Sequence, residues 1–439
     1  AVATQSWASD GGDDERGDRD SQRHGAHRAD LGDEGCRDGT AQLDGQRCGK
    51  HEKHTEIHHS ECSVRRHTVA PPPGQMGRGV IPARMAAMTF GFQVTSRLDN
   101  GLGRTGIIHT PHGDIATPAF IVVGTKASVK ALTPDQLTDL GAQAVLANAY
   151  HLFLQPGPDL VDEAGGVGQF MAWDGPTFTD SGGFQVLSLG AGFKKTLAMD
   201  VSQLTEADVI AADRDRKAMV DDDGVTFRSP LNGDLHRFTP EVSMSIQHRL
   251  GADVMMAFDE LTTLFNTRAY QEEALERTRQ WAERCLAEHR LLSAERAERP
   301  YQALYGVIQG AQYEDLRRRA CRDLSSMTVD GQRFDGFGIG GAIEKANLGT
   351  IVGWCADELP QDRPRHLLGI SEPDDLFAAC RAGADTFDCV NPSRVARNAA
   401  IYTADGRYNV NTAPFRHDFR PLEPVSYTHL RAHETRHDL

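Results

Sequence analysis

Asp180 closes the run PTFTD and is followed at once by Ser181, Gly182 and Gly183, while Asp388 stands far along the chain inside the apolar run TFDCV. An acid beside two glycines is either a turn residue or a carboxylate that a substrate can approach, because glycine lets the backbone come close to a ligand. Two carboxylates on one surface are the minimum set for double displacement at an anomeric carbon. One attacks, the other handles the proton of the leaving group, and configuration is retained. Asp259, Gln309 and the backbone near Gly340 and Gly341 suit a planar, amide-like ligand. A carboxylate accepts from adjacent N–H groups, whereas a carboxamide and a backbone N–H donate to a carbonyl oxygen, which complements the edge of guanine or a related purine. Arg394 and Arg397 in NPSRVARN are three apart, so in a helical turn they share a face able to grip phosphates, or one that is merely solvated. The run of three arginines at 317–319 reads as a solvated helix face.

These residues need elements to bring them together. Eight short apolar runs read as strands: AFIVVG (119–124), AVLANAY (144–150), TFT (177–179), VMMAF (254–258), LYGVI (304–308), FGIG (337–340), HLLGI (366–370) and TFDCV (386–390). Helix signals lie between several of them. Thr239 and Pro240 supply an N-cap and a first-turn proline, and SEPDDLFAACRAG begins similarly after Ser371. Eight strands with βα alternation predict a TIM-type barrel, an α/β fold. A doubly wound sheet is the runner-up, but no Gly-x-Gly-x-x-Gly opens the first helix. In a barrel the polar residues at strand ends gather at one mouth, which places Asn148, Tyr150, Asp180, Asp259, Glu260, Gln309, Gly340, Gly341 and Asp388 on a common rim. IYTADGRYNV reads as a β-hairpin turning at Asp405 and Gly406.

The net charge of -15 means that a nucleic-acid partner is met by a local basic patch and not by the whole field. No apolar run approaches the roughly 20 residues of a membrane span. Eight cysteines without a Cys-x-x-Cys pair fit reduced thiols, and the sequence predicts a cytoplasmic protein without membrane association. Residues 1–86 are polar and without period, and the reading is a disordered or non-native segment ahead of a catalytic domain at 87–424 and a tail at 425–439.

The chain resembles the bacterial tRNA-guanine transglycosylases, also called queuine tRNA-ribosyltransferases, from about Phe90 to about Pro424. The motifs that carry the resemblance are TDSGGFQV, NGDLHRFTPE, MAFDE, VIQG, GIGG and FDCVNPSRVARN. It implies a TIM barrel with a zinc-binding subdomain near the C-terminus, a homodimer, and exchange of guanine at the tRNA anticodon wobble position for a queuosine precursor, usually 7-aminomethyl-7-deazaguanine. By position it implies Asp388 as the nucleophile at ribose C1′ and Asp180 as the general acid/base. It implies Ser181, Phe184, Asp259, Gln309, Gly340, Gly341 and Leu368 around the base, with Phe184 stacked on it, and Arg394 and Arg397 on the tRNA. The target nucleotide is flipped out of its loop.

Some positions depart from the pattern. His366 stands where these enzymes usually have Tyr, Leu368 where they have Met, and GGAIEKA replaces the more usual GGLAVGE, which leaves the incoming base open. Ser426, Thr428 and Arg431 occupy the positions of the family's zinc-binding cysteines, and VSYTHLRAHETRHDL matches nothing in the family. The expectation is a barrel without the zinc subdomain or last helix, with a foreign tail, an apolar strip left uncovered between the eighth and first strands, and a dimer put in doubt. A retaining glycoside hydrolase and a non-catalytic tRNA-binding subunit are the rival functions. The first has no need of Asp259, Gln309 and Gly341, and the second has none of both acids.

Overall fold

A computed structural model describes residues 90–183, 218–403 and 406–419. Phe184, Ser426, Thr428 and Arg431 lie outside the described residues. An antiparallel sheet comes first: β1 (Gly91–Arg97), β2 (Arg104–Thr110) and β3 (Gly113–Thr117). The barrel strands are β4 (Ala119–Val123), β5 (Val145–Ala147) and β6 (Thr177–Thr179), then, after an antiparallel insert of β7 (Ala218–Asp221), β8 (Gly224–Arg228) and β9 (Leu235–Phe238), β10 (Val254–Met256), β11 (Ala303–Ile308), β12 (Gly336–Ile339), β13 (Arg365–Leu367) and β14 (Thr386–Cys389). A hairpin of β15 (Ala400–Thr403) and β16 (Gly406–Asn409) follows, with Gly406 already paired to Thr403. The eight barrel strands are parallel and close in the order β4-β5-β6-β10-β11-β12-β13-β14. All eight runs read from the sequence are strands of this barrel.

Strands covered on both faces must be apolar on both. β5, β10, β11 and β12 are buried at every residue. The helices that cover the barrel are α1 (Pro134–Asp139), α2 (Ala149–Leu154), α3 (Pro158–Glu163), α4 (Val167–Met171), α5 (Pro240–Leu250), α6 (Arg268–Glu295), α7 (Glu314–Ser326), α8 (Leu348–Glu358), α9 (Pro373–Arg381) and α10 (Asn391–Arg397). Thr239 caps α5 by accepting from the Val242 N–H, Pro240 takes the first turn, and Gly251 ends the helix at φ +67°. At α9 the N-cap is Glu372, not Ser371, and its side chain makes no capping bond. After β14 the described chain makes the seven-residue α10, the hairpin and a short 3-10 turn (Ala413–Phe415), and Phe377 of α9 is 66% exposed.

Two devices tie the barrel below its mouth. Arg104 of β2 is fully buried and donates twice to Asp385, from Nε at 2.8 Å and Nη2 at 2.7 Å, while also reaching the carbonyls of Gln361 and Arg363. At the other side, β6 and β10 share one registered pair, Phe178 with Val254, whereas every other junction has two to four. Side chains stand in for the missing ladder. Asp253 Oδ2 accepts from the Thr177 N–H at 2.8 Å, and Gln247 of α5 accepts from the Thr179 hydroxyl at 2.9 Å while bonding both backbone groups of Met256.

Candidate active site

The start of α2 holds Asp180. Its Oδ1 accepts from the Ala149 N–H at 2.8 Å and its Oδ2 from the Asn148 carboxamide. The first N–H groups of a helix have no partner within it, and the carboxyl of Asp180 supplies one. Gly182 sits at φ +80°, and a Cβ there would lie 2.9 Å from Phe238. A Cβ on Gly183 would lie 3.0 Å from the Asp259 carbonyl oxygen. Only glycine lets the loop after β6 close onto the end of β10. That closure brings Ser181 to Asp259: the serine hydroxyl donates to Oδ1 at 3.3 Å and accepts from the Gly183 N–H at 3.2 Å.

Asp259, at the end of the strand next to that of Asp180, is half-buried and accepts from Gln309 Nε2 at 2.6 Å through Oδ2. Burial pushes its carboxyl from 3.8 up to about 6, and the bonds from Gln309 and Ser181 offset only part of that. Gln309 Oε1 is buried and has no hydrogen-bond partner among the described residues. Gly340 and Gly341 press against this carboxamide. A Cβ on Gly341, at φ +86°, would collide with Oε1, and one on Gly340 would lie 3.2 Å from Nε2 and 3.3 Å from Leu368. Leu368 thus packs over Gly340 from the end of β13.

Arg317 holds this floor in place. It belongs to the arginine run read as a solvated face, but it is fully buried. Its Nε donates to the Ala311 carbonyl at 2.9 Å, and its Nη1 to the carbonyls of Ile308 at 2.9 Å and Gly340 at 2.7 Å. Burying a guanidinium costs less the more of its donors are used, and here Nε and Nη1 join the ends of β11 and β12 while Nη2 has no partner among the described residues. By withdrawing electrons from the Gly340 carbonyl it also makes the Gly341 N–H of the same peptide a stronger donor.

Asp388 lies in β14 with its side chain 15% exposed. Oδ1 accepts from the Gly369 N–H at 3.2 Å and contacts His366 Nε2 at 3.0 Å. The structure therefore brings Asp180, Ser181, Asp259, Gln309, Gly340, Gly341, Leu368 and Asp388 to the C-terminal ends of the barrel strands. Arg394 and Arg397 are exposed on α10, just after β14. Two residues expected on the rim belong elsewhere. Tyr150 is buried in α2, its ring 5.4 Å from that of Phe227. Glu260 turns away to Arg277 and to the Tyr270 hydroxyl at 2.5 Å, because a buried carboxylate needs charged or donor partners.

Among the described residues no group of three or more His, Cys, Asp or Glu side chains is placed to hold a metal ion. Hydroxyls and guanidinium groups, such as those of Ser426, Thr428 and Arg431, are not zinc's usual ligands, and these three residues lie outside the described ones. No helix of the described residues is long and apolar enough to cross a membrane.

A parallel eight-stranded barrel with acids, a carboxamide and glycines at its C-terminal mouth is a barrel enzyme with its site where this fold carries chemistry. The family model described as Queuine tRNA-ribosyltransferase matches residues 99–436. The queuine tRNA-ribosyltransferase of Geobacillus kaustophilus is 42% identical over 322 residues, covering 73% of this chain and 76% of the relative. That of Pelotomaculum thermopropionicum is 39% identical over 337 residues, 77% of this chain and 82% of the relative. That of Halalkalibacterium halodurans is 41% identical over 355 residues, 80% and 84%. The chain belongs to this family of pentosyl-transferring enzymes.

Proposed function

We propose that the protein exchanges guanine at the wobble position of tRNA anticodons for a 7-deazaguanine precursor of queuosine, such as 7-aminomethyl-7-deazaguanine, by double displacement. Asp388 attacks C1′ of the ribose as the C1′–N9 bond breaks. The bonding pair stays with the departing guanine, and Asp180 delivers its proton to that base. The incoming base then loses its N9 proton to Asp180 as N9 attacks C1′ and expels Asp388 as a carboxylate. Ionised Asp259 accepts from the N–H groups of the base, while Gln309 and the Gly341 N–H donate to its carbonyl. Arg394 and Arg397 grip phosphates beside the target nucleotide.

The observation that carries this reading is the Ser181–Asp259–Gln309 chain of hydrogen bonds, backed by Gly340 and Gly341. A glycoside hydrolase has no use for a carboxylate and carboxamide aimed at one planar edge. The test is incorporation of labelled guanine into cognate tRNA, with covalent tRNA adducts trapped on denaturing gels. Asp388→Asn is expected to abolish both signals. Incorporation at the parental rate by Asp388→Asn would exclude it as the nucleophile.

A further inference from the structure

His366 has no exposed surface, yet it touches the acid assigned above as the nucleophile. β13 and β14 are parallel with His366 opposite Thr386, and Thr386 and Asp388 are two apart, so both point to the same face of β14. The imidazole spans that pair. Nδ1 lies 2.9 Å from Thr386 Oγ1 and Nε2 lies 3.0 Å from Asp388 Oδ1. Its ring also packs on Phe178 of β6, with centroids 5.6 Å apart at 33°, so it cannot swing away.

An ionised carboxylate only accepts, so the proton of this contact sits on Nε2. In the neutral ring Nδ1 is then an acceptor, and the Thr386 hydroxyl fills it as donor, which selects the Nε2–H tautomer. Oδ1 thus receives two donors, Nε2–H and the Gly369 N–H at 3.2 Å. These donors fix the torsion of the carboxyl and occupy the oxygen that they bind.

We infer that His366 is a positioning residue for Asp388: together with the Gly369 N–H it engages Oδ1 and presents Oδ2 to the ribose C1′, and Thr386 orients the ring that does so. The inference rests on the reading of Asp388 as the nucleophile. Its chemistry is that of the displacement already written. Oδ2 forms the C1′–O bond and Oδ1 becomes the ester carbonyl, a weaker acceptor than the carboxylate it was. The same two donors therefore favour Asp388 as the leaving group when the second base attacks.

The experiment is single-turnover formation of the covalent tRNA adduct, read beside steady-state kcat and KM for tRNA. His366→Phe keeps a ring and removes the donor. It is expected to slow adduct formation and kcat about 10- to 100-fold, the scale of a misaligned reacting group, with KM for tRNA within about twofold. His366→Tyr, which returns an O–H, should recover most of the loss. Thr386→Val is nearly isosteric, removes the hydroxyl that meets the imidazole, and tests the idea should the phenylalanine variant unfold. It should slow the same step, and a double variant should be no slower than His366→Phe alone. Parental adduct rates in His366→Phe or Thr386→Val, or a loss confined to KM, would overturn the inference. Asp388→Asn run alongside separates the two levels: if it still exchanges base, the nucleophile itself has been misassigned, whatever His366 does.

Discussion

The carboxyl of Asp259 offers a quantitative check, because burial lifts it by about two units, from 3.8 to about 6. A group whose folded pKa is raised binds its proton more tightly folded than unfolded. Ionisation therefore costs stability that is absent below about pH 4, grows as pH rises to about 6, and is constant above that. At about 1.4 kcal/mol per unit the ceiling is about 3 kcal/mol, and partial exposure together with the lost bonds from Gln309 and Ser181 reduces the net gain from Asp259→Asn to about 1–2 kcal/mol. In a domain of this size that is a rise in melting temperature of about 1.5–3 °C at neutral pH. The gain should vanish as the pH is lowered to about 4. The same substitution removes the charged acceptor proposed for the base and should weaken base binding about 10- to 100-fold. In the parent, base affinity should fall below about pH 6 as the carboxyl protonates, and in the variant that dependence should flatten. Calorimetry across pH with isothermal titration of guanine reads both. A variant less stable than the parent by the same margin at all pH values would refute the desolvation argument.

Arg317→Lys replaces a fork that reaches three carbonyls with one amine, and should cost about 2–4 kcal/mol by chemical denaturation while raising KM for the base. Arg319→Lys, on the same helix, should change stability by less than about 0.5 kcal/mol. Arg394→Ala and Arg397→Ala should each lower the slope of log affinity for tRNA against log salt by about one, with guanine binding unchanged.

The barrel was legible because each strand is a short apolar run broken by Gly, Asn or Asp, and those breaks are the residues that form the mouth. TFT at 177–179 kept its bounds, while AVLANAY gave way to helix after Ala147, since Asn148 leaves the ladder to start α2. Arg317 was misread because a charge run does not say which residue faces inward. The buried stripe of Leu316, Ala320, Cys321 and Leu324 runs beside it, and that periodicity was the available signal. The contact of His366 with Asp388 had no local signal, because it arises from strand register between segments with a helix between them.

The junction of β6 with β10, held by one backbone pair and by Asp253 and Gln247, lies directly under Ser181 and Asp259. Barrel breathing should begin there, where the fewest backbone bonds resist it. On the proposed function, a purine bridging the loop after β6 to Asp259 and Gln309 would act as a clasp across that seam. Occupancy of the pocket should therefore slow amide exchange in β6 and β10 before it does so elsewhere, so that substrate capture and closure of the barrel reinforce each other.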